Sequence, residues 1–474
     1  MLKFFNTLTK EKEDFSPIKG KKVCMYNCGP TVYDDVHIGN LRSFVFADVL
    51  RRTLEFNGLK VKQILNITDI GHLSGDGDEG EDKMTRGLKR EGKPITLKAM
   101  QELAEIYTKR FQNDLKELNI EKPTKMPRAS SHIKEDVKLI KKLEQKGFTY
   151  KTSAGIYFDT SKDRNYGKLG GLSENHEAQI ERNSEKRNGR DFALWKFSKS
   201  EGLGFKSPWG KGFPGWHIEC SAMVLKYFSN FLDSFGVNLR IDQDQSAVID
   251  IHTGGMDLIP IHHNNEIAQS ENATGKHFAR YWLHNEFVTM GTDKMAKSEG
   301  NVFKLQDLKE KGIDPLSFRY WLLTAHYRSP ISFSWEAIEA AQTAFEKIKN
   351  QIQSIKNKGK ISEKYLSQFK EAVNDDLNTP KAVAVLWEVL KDESLPAEDR
   401  KKTILEMDKV LGLGLTTLKK ESVTIPSEVR SLVEKREKAR TQKIWPEADR
   451  LRKEIEAKGF EVKDTEKGPV VKNL

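Results

Sequence analysis

The chain has 474 residues, more than a single hydrophobic core organises, so on the order of two to four domains are expected. Its 37% hydrophobic and 9% aromatic content excludes a disordered polymer, and a net charge of +10 with 31% charged residues suits a polyanionic partner. Three cysteines make no disulfide framework, MLKFFNTLTKEKEDF has no secretory pattern, and no stretch approaches the roughly 20 apolar residues of a membrane span, so a soluble cytoplasmic protein is expected.

In chain order, Lys22 to Cys28 reads as a short β run broken by Gly29-Pro30. Leu41 to Asn57 has helical periodicity through Leu41, Phe44, Val45, Val49 and Leu54, with Gly58 as its stop. VKQILNIT, Val61 to Thr68, is the next strand. Strand, helix, strand at this spacing is a βαβ unit, which predicts an α/β fold with a parallel sheet. Ligands of such sheets collect at the carboxyl ends of strands, where Cys28 and Thr68 both fall. The acidic run SGDGDEGED from Ser74 reads as a loop; it is no calcium loop, because the twelfth position from Asp76 is Gly87 instead of glutamate.

Residues 96–148 are helical in pattern, interrupted near Pro123 and Pro127. Residues 150–213, richer in Gly, Ser and Asn with runs such as GIYFDT, predict an inserted β-rich segment. Beta character returns over Leu239 to Ile251, and helices follow from His262. Beyond Ser334 the helices become long, amphipathic and Lys/Glu-rich, with no strand signal up to about Gly414. Leu418 to Thr424 reads as a linker. Ser427 to Lys458 is helical with a stripe through Ala448, Leu451 and Ile455, Gly459 ends it, and the β-like runs FEV and PVV follow.

Four residues carry most of the chemical information. Cys28 ends VCMYNC, Cys220 closes GWHIEC, and His262 and Glu266 stand four apart in IHHNNEIAQ, on one face of a helix. Two thiolates, an imidazole and a carboxylate make a tetrahedral zinc set. Cys24, His217 and His263 lie close enough in sequence to substitute for a member, and Cys24 alone reads as a small buried hydrophobe. HIGN, His37 to Asn40, stands at a helix start, where free N–H groups and the helix dipole favour phosphate; His37 can donate, and Gly39 lets a nucleotide lie against the backbone. KMAKS, Lys294 to Ser298, sets two lysines three apart in a glycine-flanked segment, suited to the charge developing on a leaving pyrophosphate.

An HIGH-like element at the first strand–helix junction with a KMSKS-like element far downstream resembles the paired signature of class I aminoacyl-tRNA synthetases. With CGPTVYDDVHIGN, NITDI, GWHIECSAM, HHNNEIAQS and NDDLNTPKAVAVLWEVL, the chain resembles the cysteinyl-tRNA synthetases essentially from end to end. The resemblance implies a Rossmann-type parallel-sheet catalytic domain with an inserted connective segment, followed by an α-helical tRNA-binding C-terminal part. It places the catalytic halves at 1–120 and 214–290, the insertion at 121–213, a stem-contact region at 291–335, a helical bundle at 336–417 and a small terminal domain at 425–474.

It further implies ATP-dependent joining of L-cysteine to tRNA(Cys) by a monomer, with one Zn2+ on Cys28, Cys220, His262 and Glu266, and Mg2+ carried by ATP. Lys297 is then the principal ATP lysine, with Lys294, His37, Gly39 and Asn40 beside it. Thr68, Trp216 and Asp257 fall in segments lining the amino-acid pocket. Trp445, Arg450 and Phe460 are candidates for the anticodon. The sequence departs from the family pattern at Asn40, Ala296 and Glu299. A cysteine ligase acting on a sugar amine, a methionine-type synthetase and a catalytically silent RNA-binding paralogue are the rival readings; the continuous C-terminal half, the cysteine-type blocks and the intact lysines and ligands weigh against them in turn.

Overall fold

The computed structural model describes residues 1–70, 83–172, 185–198, 203–229, 247–291, 293–294, 302–356, 358–417, 426–465 and 468–473. The chain forms two compact units, Met1–Thr416 and Thr417–Leu474. At the centre of the first lies a four-stranded, wholly parallel sheet in the order His277–Asn285, Ala247–Gly255, Lys22–Asn27, Lys60–Leu65. The expected βαβ unit is its first half: helix Ile38–Phe56 connects the two strands, and Gly58 at φ 80° turns the chain back. The helix begins at Ile38, three residues before the expected start at Leu41, because His37 caps it.

Alternation along Lys22–Asn27 sorts its side chains. Val23 and Met25 pack with Phe46, Leu50 and Leu54 of the helix, whereas Cys24, Tyr26 and the following Cys28 face the other side. Two helices, Trp216–Phe228 and Asn264–Thr274, cover that other side. Cys28 is thereby aimed at the helices that carry Cys220 and Glu266.

The β-rich segment is an antiparallel sheet of Thr149–Lys151, Gly155–Phe158, Phe192–Phe197 and Gly212–Pro214. Its Ile156, Phe158 and Trp195 join one apolar cluster with Ile249 and Trp282 of the parallel sheet. Within the expected strand 239–251, residues from Ala247 are described and extended, while 239–246 and the linker 418–424 lie outside the described residues. From Ser334 the first unit is helical through Leu411, as the sequence indicates.

Arg319 and Asp48, both fully buried, form an ion pair that joins helix Pro315–Leu323 to helix Ile38–Phe56. Arg319 also donates to the carbonyls of Leu411 and Leu118 at 2.8 and 2.9 Å. Gly412, at φ 65°, ends helix Ala397–Leu411 there; a Cβ on it would fall 2.4 Å from Arg319 Nη2.

In the second unit the expected helical stretch is two helices, Ser427–Thr441 and Trp445–Ala457. Lys443 takes φ 60° and Pro446 stands in the first turn of the next helix, which breaks a pattern that charge alternation alone made look continuous. A hairpin of Phe460–Thr465 and Gly468–Asn473 closes the unit, and Arg436 holds Asp464 bidentately at 2.8 and 2.9 Å. Among the described residues no helix is long and apolar enough to cross a membrane.

Candidate active site

The chain leaves Lys22–Asn27 toward Lys60–Leu65 on one side and later fills the other side with Ala247–Gly255. Strand order therefore reverses between Lys22–Asn27 and Ala247–Gly255, and ligands of such sheets bind in the crevice beyond that point. A cleft of about 1660 Å3, part of it open solvent, lies there. Its walls bring together Cys28, His37, Gly39, Asn40, Thr68, Trp216, Cys220, Asp257 and His262. Glu266, the remaining candidate ligand, is fully buried.

The ligating atoms of Cys28, Cys220, His262 and Glu266 lie within 4.8 Å of one another. His262 stands in a π-helical turn, Ile259–His263, immediately ahead of the α-helix bearing Glu266, so the fourfold spacing survives a change of helix type. Its Nε2 is 2.8 Å from Glu266 Oε1, and Cys28 Sγ is 3.8 Å from the same oxygen. Nδ1 of His262 shares a hydrogen bond of 2.9 Å with Nδ1 of His217, which orients the ring. His217 is thus a support for His262. Cys24 packs against the apolar cluster, where burial and then Asp250 push its thiol up to about 11.

Charges in this cluster are strongly coupled. A hydrogen bond from Cys28, with help from His262, lowers the Cys220 thiol to about 6 against burial and the Glu266 charge. Burial, and the bond that Cys28 makes to Cys220, push Cys28 well up. Burial acts to lower His262, but Glu266 and Cys220 together raise it to about 10. Burial likewise opposes the charge on Glu266, and His252 and His262 overcome it to hold the carboxyl down at about 2. Cys28 and His262 therefore each hold a proton that a divalent cation could displace. Glu266 Oε2 is buried 2.6 Å from His252 Nε2, so both carboxylate oxygens face imidazoles in the cluster. Cys28, Cys220, His262 and Glu266 would hold such a cation, and a soft d-block ion there would supply an acceptor for sulfur.

Beside the cluster, His37 caps the helix that leaves the first strand. Its Nδ1 accepts from Asn40 N at 3.3 Å, which in the neutral ring puts the proton on Nε2. The segment after the KMAKS residues returns to this turn: Ile38 N donates to Phe303 O at 2.8 Å, and Lys304 Nζ lies 3.0 Å from Asp35 Oδ2. The backbone of Lys294 pairs with Thr289. Lys297, Ala296, Glu299 and the acidic loop 74–82 lie outside the described residues.

Gly29 shapes the floor. Its amide donates to Asn66 Oδ1 at 2.8 Å, and a Cβ on it would fall 1.7 Å from the Asn66 carbonyl oxygen. Thr68, 1% exposed, lies just beyond, its amide donating to Pro30 O at 3.1 Å. Trp216 packs 4.5 Å from the His262 ring, while Lys83 lies 5.0 Å over the Trp216 face. Lys83, Asn66, His252 and His284 were not picked out from sequence. For His252 and His284 the available signal was a histidine inside a strand that is otherwise largely apolar, IDIHTGG or YWLHN.

Comparison with known proteins agrees with this geometry. Residues 14–343 match the class I (C) tRNA synthetase catalytic domain, 368–416 the DALR domain, and 423–469 the cysteinyl-tRNA ligase anticodon binding domain. The chain is 43% identical to cysteine–tRNA ligase 1 of Burkholderia lata, over 98% of this chain and 96% of that one. It is 41% identical to cysteine–tRNA ligase of Treponema denticola, over 98% of each. Methionyl-tRNA synthetase of Mycobacterium tuberculosis, solved with methionyl-adenylate, shares the fold at a TM-score of 0.54 and 16% identity, covering 83% of this chain and 90% of that one. A parallel sheet with its cleft at the strand reversal, and matches that span both units, place the chain in the cysteine-type class I tRNA synthetase family.

Proposed function

We propose that the chain activates L-cysteine with ATP and transfers it to tRNA(Cys). The observation that carries this reading is the juxtaposition of two cysteines, a histidine and a glutamate able to hold a metal with a helix N-terminal turn beside one cleft. Cysteine differs from serine by sulfur for oxygen, and an apolar or hydrogen-bonding pocket separates such near-isosteres by only about 10–200-fold. Zinc held by Cys28, Cys220, His262 and Glu266 would supply a soft acceptor that prefers thiolate to hydroxyl.

The substrate carboxylate oxygen attacks the α-phosphorus of ATP, which arrives with Mg2+, and the bond to pyrophosphate breaks. Positioning and charge stabilisation carry this displacement. His37 donates from Nε2 to a phosphate oxygen, Gly39 admits the nucleotide to the backbone, and Asn40 stands where the family has a second histidine. Lys294 and Lys297 neutralise the leaving pyrophosphate. Trp216, Thr68 and Asp257 line the amino-acid side of the cleft. A ribose hydroxyl of the tRNA's terminal adenosine then attacks the acyl carbon and releases AMP. The second unit, with Trp445 56% exposed, reads the anticodon.

Cysteine-dependent ATP–pyrophosphate exchange tests the first step and charging of tRNA(Cys) the second. Cys220→Ser is expected to lose the discrimination against serine, because the substrate sulfur no longer meets an intact set of ligands in the cleft. Faithful cysteine charging by protein without stoichiometric metal would overturn the reading.

A further inference from the structure

Glu266 is a two-sided carboxylate. Oε1 lies 2.8 Å from His262, while Oε2 lies 2.6 Å from Nε2 of His252. The second contact lacks the alignment of a hydrogen bond: Oε2 and both ring nitrogens of His252 are buried without a hydrogen-bond partner. His252 is 0% exposed, stacked 4.5 Å from Trp282. Two of these atoms face each other as an imidazole–carboxylate contact; the orphaned His252 Nδ1, which costs on the order of 1–3 kcal/mol, marks a junction that a ligand could complete.

His263 completes the arrangement. Its Nε2 lies 3.4 Å from Cys28 Sγ, and its Nδ1 is held at 2.7 Å by His284 Nε2. His284 Nδ1 in turn meets Thr7 Oγ1 at 2.8 Å. One nitrogen fixed by a partner and the other aimed at a thiol is how proteins orient a metal-ligating histidine. The ligating atoms of Cys28, His252, His263 and Glu266 lie within 4.8 Å of one another. The sulfur–nitrogen separation matches the roughly 3.5 Å edge of a tetrahedron with bonds of about 2.3 and 2.0 Å.

We propose that the pocket offers one divalent transition-metal ion two alternative stations: an outer one of Cys28, Cys220, His262 and Glu266, and an inner one of Cys28, His252, His263 and Glu266. The stations share a thiolate and a carboxylate, and two ions together would set four positive charges against three anionic side chains. Charge balance separates the stations. At the inner one a thiolate, a carboxylate and two neutral imidazoles cancel the ion's charge, and a neutral complex is the one that burial tolerates. The outer set leaves one negative charge. Depth separates them too: Cys28, Cys220 and His262 of the outer set wall the cleft, whereas of the inner set only Cys28 does. An ion at the inner station would sit behind the cleft wall, reaching it through Cys28 alone, and would be parked there.

Metal binding, and not catalysis, reports which station is filled. Full-length Cys220→Ser/His262→Gln is loaded with Co2+ and followed by metal analysis and by the sulfur-to-cobalt absorption that counts thiolates. One equivalent is expected, with about half the wild-type sulfur band and affinity within about 100-fold of wild type, and a further His252→Gln should weaken it by about tenfold or more. A folded double variant that holds no metal, or indifference to His252→Gln, overturns the proposal. If the double variant does not fold, Cys220→Ser alone serves: unchanged affinity on adding His252→Gln overturns it. An empty double variant beside metal-bearing wild type sinks only this inference, whereas metal-free active wild type sinks the functional reading as well.

Discussion

Gly29→Ala tests whether the close approach of two strand ends sets the active geometry. The added Cβ would stand 1.7 Å from the Asn66 carbonyl oxygen and 2.8 Å from its carbon. Both atoms are backbone, so no flexible side chain can yield. Side-chain Cβ atoms keep about 3.0 Å from such neighbours, so the two chain segments must part by about 1.3 Å. The displaced segment carries Cys28 on one side and Pro30, which accepts from Thr68 N, on the other. Overpacking of this kind costs about 1–3 kcal/mol, and misplacing reacting groups by roughly 1 Å costs about 100-fold in rate. Cysteine-dependent pyrophosphate exchange should therefore lose about 100-fold in kcat/KM in a variant whose circular dichroism still shows the native helices. Exchange within about threefold of wild type would refute the idea that this contact holds the cleft in register.

Three other outcomes follow from separate parts of the molecule. Asp48→Ala leaves the buried Arg319 guanidinium without its carboxylate and should lower unfolding free energy by about 3–5 kcal/mol in urea titrations; a loss under about 1 kcal/mol would contradict the pairing. Burial, then Asp35 and Glu117, raises Asp114 from 3.8 to about 7, so the folded chain keeps a proton that the unfolded chain has released. Its contribution to stability falls as pH climbs from about 4 to about 7, and Asp114→Asn should gain melting temperature over wild type between about pH 5 and 8; a difference independent of pH would refute this. Trp445→Ala should shift stability by under about 0.5 kcal/mol yet raise KM for tRNA(Cys) about fivefold or more, with pyrophosphate exchange retained; unchanged KM removes Trp445 from the tRNA interface.

The βαβ core was legible because helix Ile38–Phe56 carries its apolar stripe between two breakers, Gly29-Pro30 and Gly58. The candidate ligands stood out because cysteine is scarce here and a His-x-x-x-Glu spacing maps directly onto a helix. His252 and His284 stayed hidden, since period-two alternation gives a strand histidine no mark that separates a ligand from core filling. The Arg319–Asp48 pair joins residues 271 positions apart, which local patterning does not register. The break at Lys443 escaped because a lysine at positive φ carries no glycine or asparagine signal, and Pro446 reads equally well as a helix opener.

The common interior of the two sheets restricts how such a scaffold can be remodelled. Phe158 and Trp195 rest in the same apolar cluster as Ile249 and Trp282, so the antiparallel layer is mortared into the wall of the parallel one. Cutting out its strands would wet the strands behind the cleft and topple the helices over Cys28. Lineages and engineers alike are left free to ornament its outer turns, while the strands themselves stay put.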